Sequence, residues 1–196
     1  MRHKNHNSQK KGFTLTEMLT ATFISVIAIS MIYAIYSSGN TLWENKRYQI
    51  DLQSKGRLAM QEMLSELKNA TRTSTQNPSP NINIPSHPNN KNIHFYLPLD
   101  NDGDGYITDA NGDIEWDTSN QIHYLYVPGQ NLLRRNENAG NQKDFLRDVT
   151  DVQFIDNSID GSLFLNEIRI IFTLTATTPR QRTITMAFSG MVKLRN

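Results

Sequence analysis

Lys10-Lys11-Gly12-Phe13-Thr14-Leu15-Thr16-Glu17-Met18-Leu19 opens a run that stays largely apolar to about Tyr36. A basic leader, a small residue and then a hydrophobic helix holding a single acid predict a cut at Gly12–Phe13. The cut falls before the apolar segment, so the product keeps its membrane helix and gains a free amine on Phe13. As a helix, residues 13–36 span roughly 36 Å at about 1.5 Å per residue. That is enough to cross a hydrocarbon core of about 30 Å. A secretory signal peptide would be shorter and would end in a small-residue cleavage site. Here Ile24-Ser25-Val26-Ile27-Ala28-Ile29-Ser30-Met31-Ile32-Tyr33-Ala34-Ile35-Tyr36 runs on into a polar helical pattern, so the anchor is retained.

Glu17 is the anomaly in this segment. An ionised carboxylate within a membrane helix costs about 2.5–3.5 kcal/mol on insertion scales. Two readings compete. In one, Glu17 reaches the interface near the helix end. In the other it pairs with a cation, and cleavage after Gly12 creates one in the Phe13 amine. Within one chain that amine is a turn away. Between staggered copies the same pair would fix their register.

The remaining composition limits the rest. Of 196 residues, about 150 lie beyond the leader and anchor, enough for one domain with a core. Mean hydropathy is −0.54, so the chain beyond the anchor is polar and not polytopic. Net charge is +1, but residues 1–12 carry Arg2, Lys4, Lys10 and Lys11 and no acid. Without them sixteen basic residues face nineteen acids, a charge near −3. That gives no electrostatic reason to expect nucleic acid as a partner. The basic leader reads instead as a signal holding the N-terminus in the cytoplasm. There is no cysteine, so neither disulfides nor zinc–thiolate sites can brace the domain.

Past the anchor, Met60, Met63, Leu64 and Leu67 recur at helical spacing. Gln61, Glu62, Ser65, Glu66 and Lys68 take the other face. One helix is expected from about Thr14 to Ala70, with a bend near Ser37–Gly39 where glycine lowers helix propensity. Trp43 and Tyr48 read as interfacial anchors or packing residues. The Asn- and Pro-rich stretch 77–92 predicts a surface loop. Strands are expected over 93–97, 114–116, 121–127, 131–135, 151–156, 166–175 and 182–194, with a hairpin turn around Gly129. The clearest is Ile168, Ile170, Phe172 and Leu174 alternating with Arg169, Ile171, Thr173 and Thr175. The fold class is therefore α+β, a long N-terminal helix packed on antiparallel sheet. The divisions are 1–12 leader, 13–36 membrane helix, 37–70 amphipathic helix and 71–196 a β-rich domain.

Within that domain lies an acidic loop at 100–113. Asp100, Asp102 and Asp104 alternate, Gly105 follows, and Tyr106 supplies a backbone carbonyl. This is the order in which calcium loops of the EF-hand type present oxygens. The twelfth position, a bidentate Glu in such loops, is Asn111, so Asp109 or Asp113 is expected to supply the missing oxygen from a different exit. The flanks read as strands, outside a helix–loop–helix setting. A solvated turn is the competing reading, since Asp, Asn and Gly favour turns without metal. Crowded carboxylates favour the cation, and calcium is the expected cofactor. Such sites in extracellular modules bind at about 10⁻⁴–10⁻³ M.

No catalytic constellation is legible, so the chain is not expected to be an enzyme. His3 and His6 lie in the leader and His87 in the Pro/Asn loop. His94 and His123 lie on expected strands and can approach each other, a weak metal signal. Arg134-Arg135 reads as a solvated or salt-bridged face. A membrane-tethered enzyme would need a polar pocket that the sequence does not show.

The stretch 10–19 and the apolar run behind it resemble the cleavage and methylation motif of type IV prepilins and type II secretion pseudopilins. That resemblance implies cleavage by prepilin peptidase at Gly12–Phe13, N-methylation of Phe13 and recognition of a neighbouring subunit by Glu17. It also implies a pilin-like fold, insertion in the bacterial inner membrane with the body periplasmic, and assembly with other minor and major pilins or pseudopilins. Further pieces resemble PilW-like minor pilins and J-type pseudopilins. They are Asn69-Ala70, Ile122-His123-Tyr124-Leu125-Tyr126, Asn131-Leu132-Leu133-Arg134-Arg135, Val149-Thr150-Asp151-Val152-Gln153-Phe154, Ile168-Arg169-Ile170 and the closing Val192-Lys193-Leu194-Arg195-Asn196. This implies a minor subunit at or near a filament tip that helps initiate assembly, secretion or adhesion. The alternative class is a single-pass, calcium-stabilised surface adhesin or sensor that does not polymerise.

Overall fold

The computed structural model describes residues 12, 14–70, 82–85, 90–112, 114–137 and 141–194. Phe13, Asp113, His3, His6, His87, Arg195 and Asn196 lie outside these residues, as do the leader up to residue 11 and most of the stretch 77–92. The chain divides into two units, residues 1–45 and 46–196. Helix α1 (Leu15–Asn69) runs through both and is unbroken at Ser37–Gly39.

In the first unit α1 opens on a reciprocal cap. The Glu17 amide donates to Thr14 Oγ1 at 3.3 Å, and the Thr14 amide donates to Glu17 Oε2 at 2.9 Å. Two otherwise unpaired helix donors are satisfied this way. Side chains 14–36 are all exposed, and an 18-residue window reaches a mean hydropathy of 2.1. Among the described residues this is one helix long and apolar enough to cross a membrane. Its hydroxyls are internally satisfied: Thr20 donates to the Thr16 carbonyl, Ser25 to Ala21 and Ser30 to Val26, at 2.8–3.0 Å. Back-bonding of this kind lets small polar residues sit in an apolar helix.

In the second unit α1 buries Leu52, Gly56, Ala59, Met60, Met63 and Leu67, a stripe at helical spacing that extends the expected Met/Leu face by two turns. It packs on antiparallel sheet. One sheet runs in chain order through β1 (Ile82–Asn83), β2 (Asn92–Pro98), β3 (Trp116–Val127), β4 (Leu132–Glu137) and β5 (Asn141–Arg147). The other holds β6 (Val149–Ile155), β7 (Glu167–Thr177) and β8 (Thr183–Lys193). Strand β7 buries alternate residues from Ile168 to Leu174, as its period of two predicts. The sheets are stitched together: the Val149 amide donates to the Asn131 carbonyl at 2.9 Å, and the Phe154 amide to Asn90 at 2.8 Å. The Tyr126 hydroxyl donates to the Thr150 carbonyl at 2.7 Å.

Two close approaches set the helix on the second sheet. A Cβ on Gly56 would stand 2.2 Å from the Phe188 ring, and one on Gly190 would stand 2.6 Å from the Met60 sulfur. A side chain at either point would force Phe188 or Met60 to shift.

Several expectations are revised. Residues 114–116 do not form a strand of their own. Ile114 makes an isolated bridge with Thr108, and Trp116 opens β3, which starts five residues before the expected 121. Strand β1 lies inside the stretch read as loop, and β5 was not anticipated. Both are end strands of their sheet: β1 is only two residues long, and β5 opens on the polar run Asn141-Gln142-Lys143-Asp144. The turn after β3 is a short 3-10 segment, Pro128–Gln130, closed by Asn131 in the left-handed region at φ 50°.

Candidate functional site

Two regions carry the expected functional residues. The first is the N-terminus. Gly12 has open space around its Cα, and Phe13 is outside the described residues. Glu17 accepts from both the Thr14 amide and the Thr14 hydroxyl, each at 2.9 Å. In the single chain its carboxylate is therefore held by its own helix cap. The spacing Thr14-x-x-Glu17 is the sequence signal for this cap, which the charge-based reading passed over.

The second is the acidic loop. Asp100 Oδ2 accepts from the Gly105 amide at 2.9 Å, and Oδ1 from the Gly103 amide at 2.7 Å. These two amides, Gly105 first, hold the half-buried Asp100 carboxyl below the usual range. The wrapping requires Gly103 and Gly105 at φ 78° and 89°, a region that side chains strain to enter. Asp102 Oδ1 accepts from the Asp104 amide at 3.1 Å.

Asp100 and Asp102 come together with Glu115, their ligand oxygens all within 4.8 Å of one another. Asp104 and Asp109 are not in this group. Asp104 caps the Tyr106 amide at 2.7 Å, and Asp109 the Asn111 amide at 2.9 Å. Asp113 is not described. Tyr106 keeps an exposed side chain, at 69%, and offers the expected carbonyl only through its backbone.

Glu115 was missed because its fifteen-residue separation from Asp100 is outside any loop template. The fold brings it back. The Thr108–Ile114 bridge closes the loop, the Glu115 amide donates to the Ile107 carbonyl at 2.9 Å, and Leu99 donates to the Glu115 carbonyl at 3.1 Å. Glu115 Oε2 also accepts from the Asn101 amide at 2.6 Å. Three carboxylates on a loop pinned at its base form a donor set of hard oxygens, which suits a cation of the calcium type.

A third cluster ties α1 to the first sheet. Glu66, assigned by its position to the polar face, is instead half-buried at the edge of the stripe. It accepts from the Tyr124 hydroxyl at 2.6 Å and from Arg135 Nε and Nη2 at 2.9 and 2.8 Å. Arg135 also pairs with Glu137. Burial, and then the Glu66 carboxylate, hold the Tyr124 phenol well above its usual range. Arg134 faces Asp144 at 3.5 Å, so the Arg pair is salt-bridged. His94 and His123 do meet as direct cross-strand partners, their ring centres 4.6 Å apart.

Residues 7–33 match the family model of the prokaryotic N-terminal methylation motif. Together with the long apolar helix behind it, the match gives the chain a type IV pilin-like N-terminus. It supports a pilin-like or pseudopilin subunit and implies processing by prepilin peptidase, assembly with other pilins and membrane anchoring. No curated protein and no solved structure matches the chain.

Proposed function

We propose that this chain is a minor pilin or pseudopilin, cut by prepilin peptidase between Gly12 and Phe13 and methylated on Phe13. It enters a type IV pilus or type II secretion pseudopilus at or near the tip, where it helps start assembly, secretion or adhesion. The observation that carries this reading is the methylation motif at 7–33, joined without a break to a helix whose later turns pack on antiparallel sheet. The absence of cysteine and the resemblance to PilW-like and J-type subunits favour a minor subunit.

Glu17 is the assembly residue in this account. Its exchange from the Thr14 cap to the Phe13 amine of a neighbouring subunit replaces neutral donors by a charged one, which makes the stronger hydrogen bond. The acidic loop takes calcium through Asp100, Asp102 and Glu115, with Asp104, Asp109, Asp113 and the Tyr106 carbonyl as further donors when the loop closes on the ion. The metal braces a domain that has no disulfide.

Mass spectrometry of the chain recovered from cells with an active prepilin peptidase tests the processing. The expected N-terminal peptide begins at N-methylated Phe13. A chain that keeps residues 1–12 in those cells contradicts the proposal.

A further inference from the structure

A row of polar side chains crosses the five-stranded sheet on the face opposite Ile93, Phe95, Ile122 and Tyr124. His94 on β2 stands directly across from His123 on β3, and His123 directly across from Asn136 on β4. All three are half-buried. His123 Nε2 and Asn136 Oδ1 are both buried and lack a hydrogen-bond partner among the described residues. Buried polar atoms are nearly always partnered, so two orphans on adjacent strands, beside a second imidazole, call for a guest.

We propose that His94 and His123 chelate a late first-row divalent cation of the Cu²⁺, Ni²⁺ or Zn²⁺ type, with Asn136 Oδ1 as a third, weaker donor. Two imidazoles sharing one ion through bonds of about 2.0–2.1 Å hold their ring centres roughly 4.5–5.3 Å apart over right-angle to tetrahedral geometries. The observed 4.6 Å meets that condition. Nitrogen donors select against calcium, which takes oxygen ligands. This site is therefore chemically distinct from the acidic loop. An ion here would staple β2, β3 and β4 in a domain with no disulfide.

The test is Cu²⁺ binding to the full chain in detergent, with calcium in excess and with His3, His6 and His87 changed to Ala. Of the five histidines that leaves only the pair. The expected result is one bound Cu²⁺ whose electron paramagnetic resonance shows two imidazole nitrogens, and which binds more tightly than Zn²⁺ does. His94→Gln and His123→Gln should each weaken binding at least about tenfold with an unchanged circular dichroism spectrum. Asn136→Ala should weaken it less and keep both nitrogens. No binding up to millimolar Cu²⁺, or a signal without two imidazole nitrogens, overturns the proposal. So does an affinity that survives either glutamine change. If a glutamine variant fails to fold, the nitrogen count in the parent and in Asn136→Ala decides alone.

Discussion

Tyr124 donates to Glu66 at 2.6 Å while fully buried against the core. Tyr124→Phe keeps the ring and removes only the hydroxyl. It should cost about 1.5–3 kcal/mol, the range for a hydrogen bond to a charged group, read from urea unfolding. Arg135→Ala should cost more, because it leaves Glu66 without its cation. Neither partner was legible in advance. Helical phase put Glu66 with the solvent-facing residues, and Arg135 read only as part of a basic pair. Their meeting brings together residues 69 positions apart in the chain, which no local pattern encodes. Glu17 is the opposite case. Its oddity was plain from one acid in an apolar run, and the structure adds the Thr14 cap that holds it in the single chain.

At the scale of elements, Gly56 and Gly190 let α1 lie against β8 at contact distance. Gly56→Ala gains up to about 1 kcal/mol of helix propensity, but its Cβ drives into Phe188, which is stacked on Phe172 with ring centres 5.2 Å apart. Overpacking of this kind costs about 1–3 kcal/mol, so the net change should be destabilising by thermal denaturation. Phe188→Leu in the same chain should recover part of the loss. The elements with strong periodicity were readable: the Met/Leu stripe of α1, and β7, where burial alternates as the side chains do. The end strands β1 and β5 were not, since β1 is only two residues long and β5 opens on four polar residues, Asn141 to Asp144. The acidic loop was recognisable by composition, yet its third carboxylate in space, Glu115, arrives through the pairing of Thr108 with Ile114. Spacing templates fail wherever a hairpin, and not a loop, delivers the ligand. Calcium at 10 mM, about 10–100 times the dissociation constant of such sites, should add roughly 1.4–2.7 kcal/mol. Differential scanning calorimetry should register this as a rise of several degrees. Asp100→Asn and Glu115→Gln should each abolish the rise, and a wild-type chain whose melting is indifferent to calcium would remove the metal from the account.

Across the whole molecule, a methylation motif, an exposed apolar helix and an α+β domain of antiparallel sheets are joined by one continuous α1. The general architecture was legible because each part has its own period, apolar along the first half of the helix, 3.6 along the second and two along the strands. The role proposed for it in a filament rests on surfaces and partners, which no periodic pattern in a sequence encodes. The central claim is that this chain is built into a filament through Glu17, and the most direct measurement is its recovery in filaments sheared from cells. The account predicts that the wild-type chain fractionates with the filaments, while Glu17→Ala is processed normally but stays in the inner membrane. Wild-type chain found only in the membrane, or Glu17→Ala reaching the filaments as well as wild type does, would contradict it.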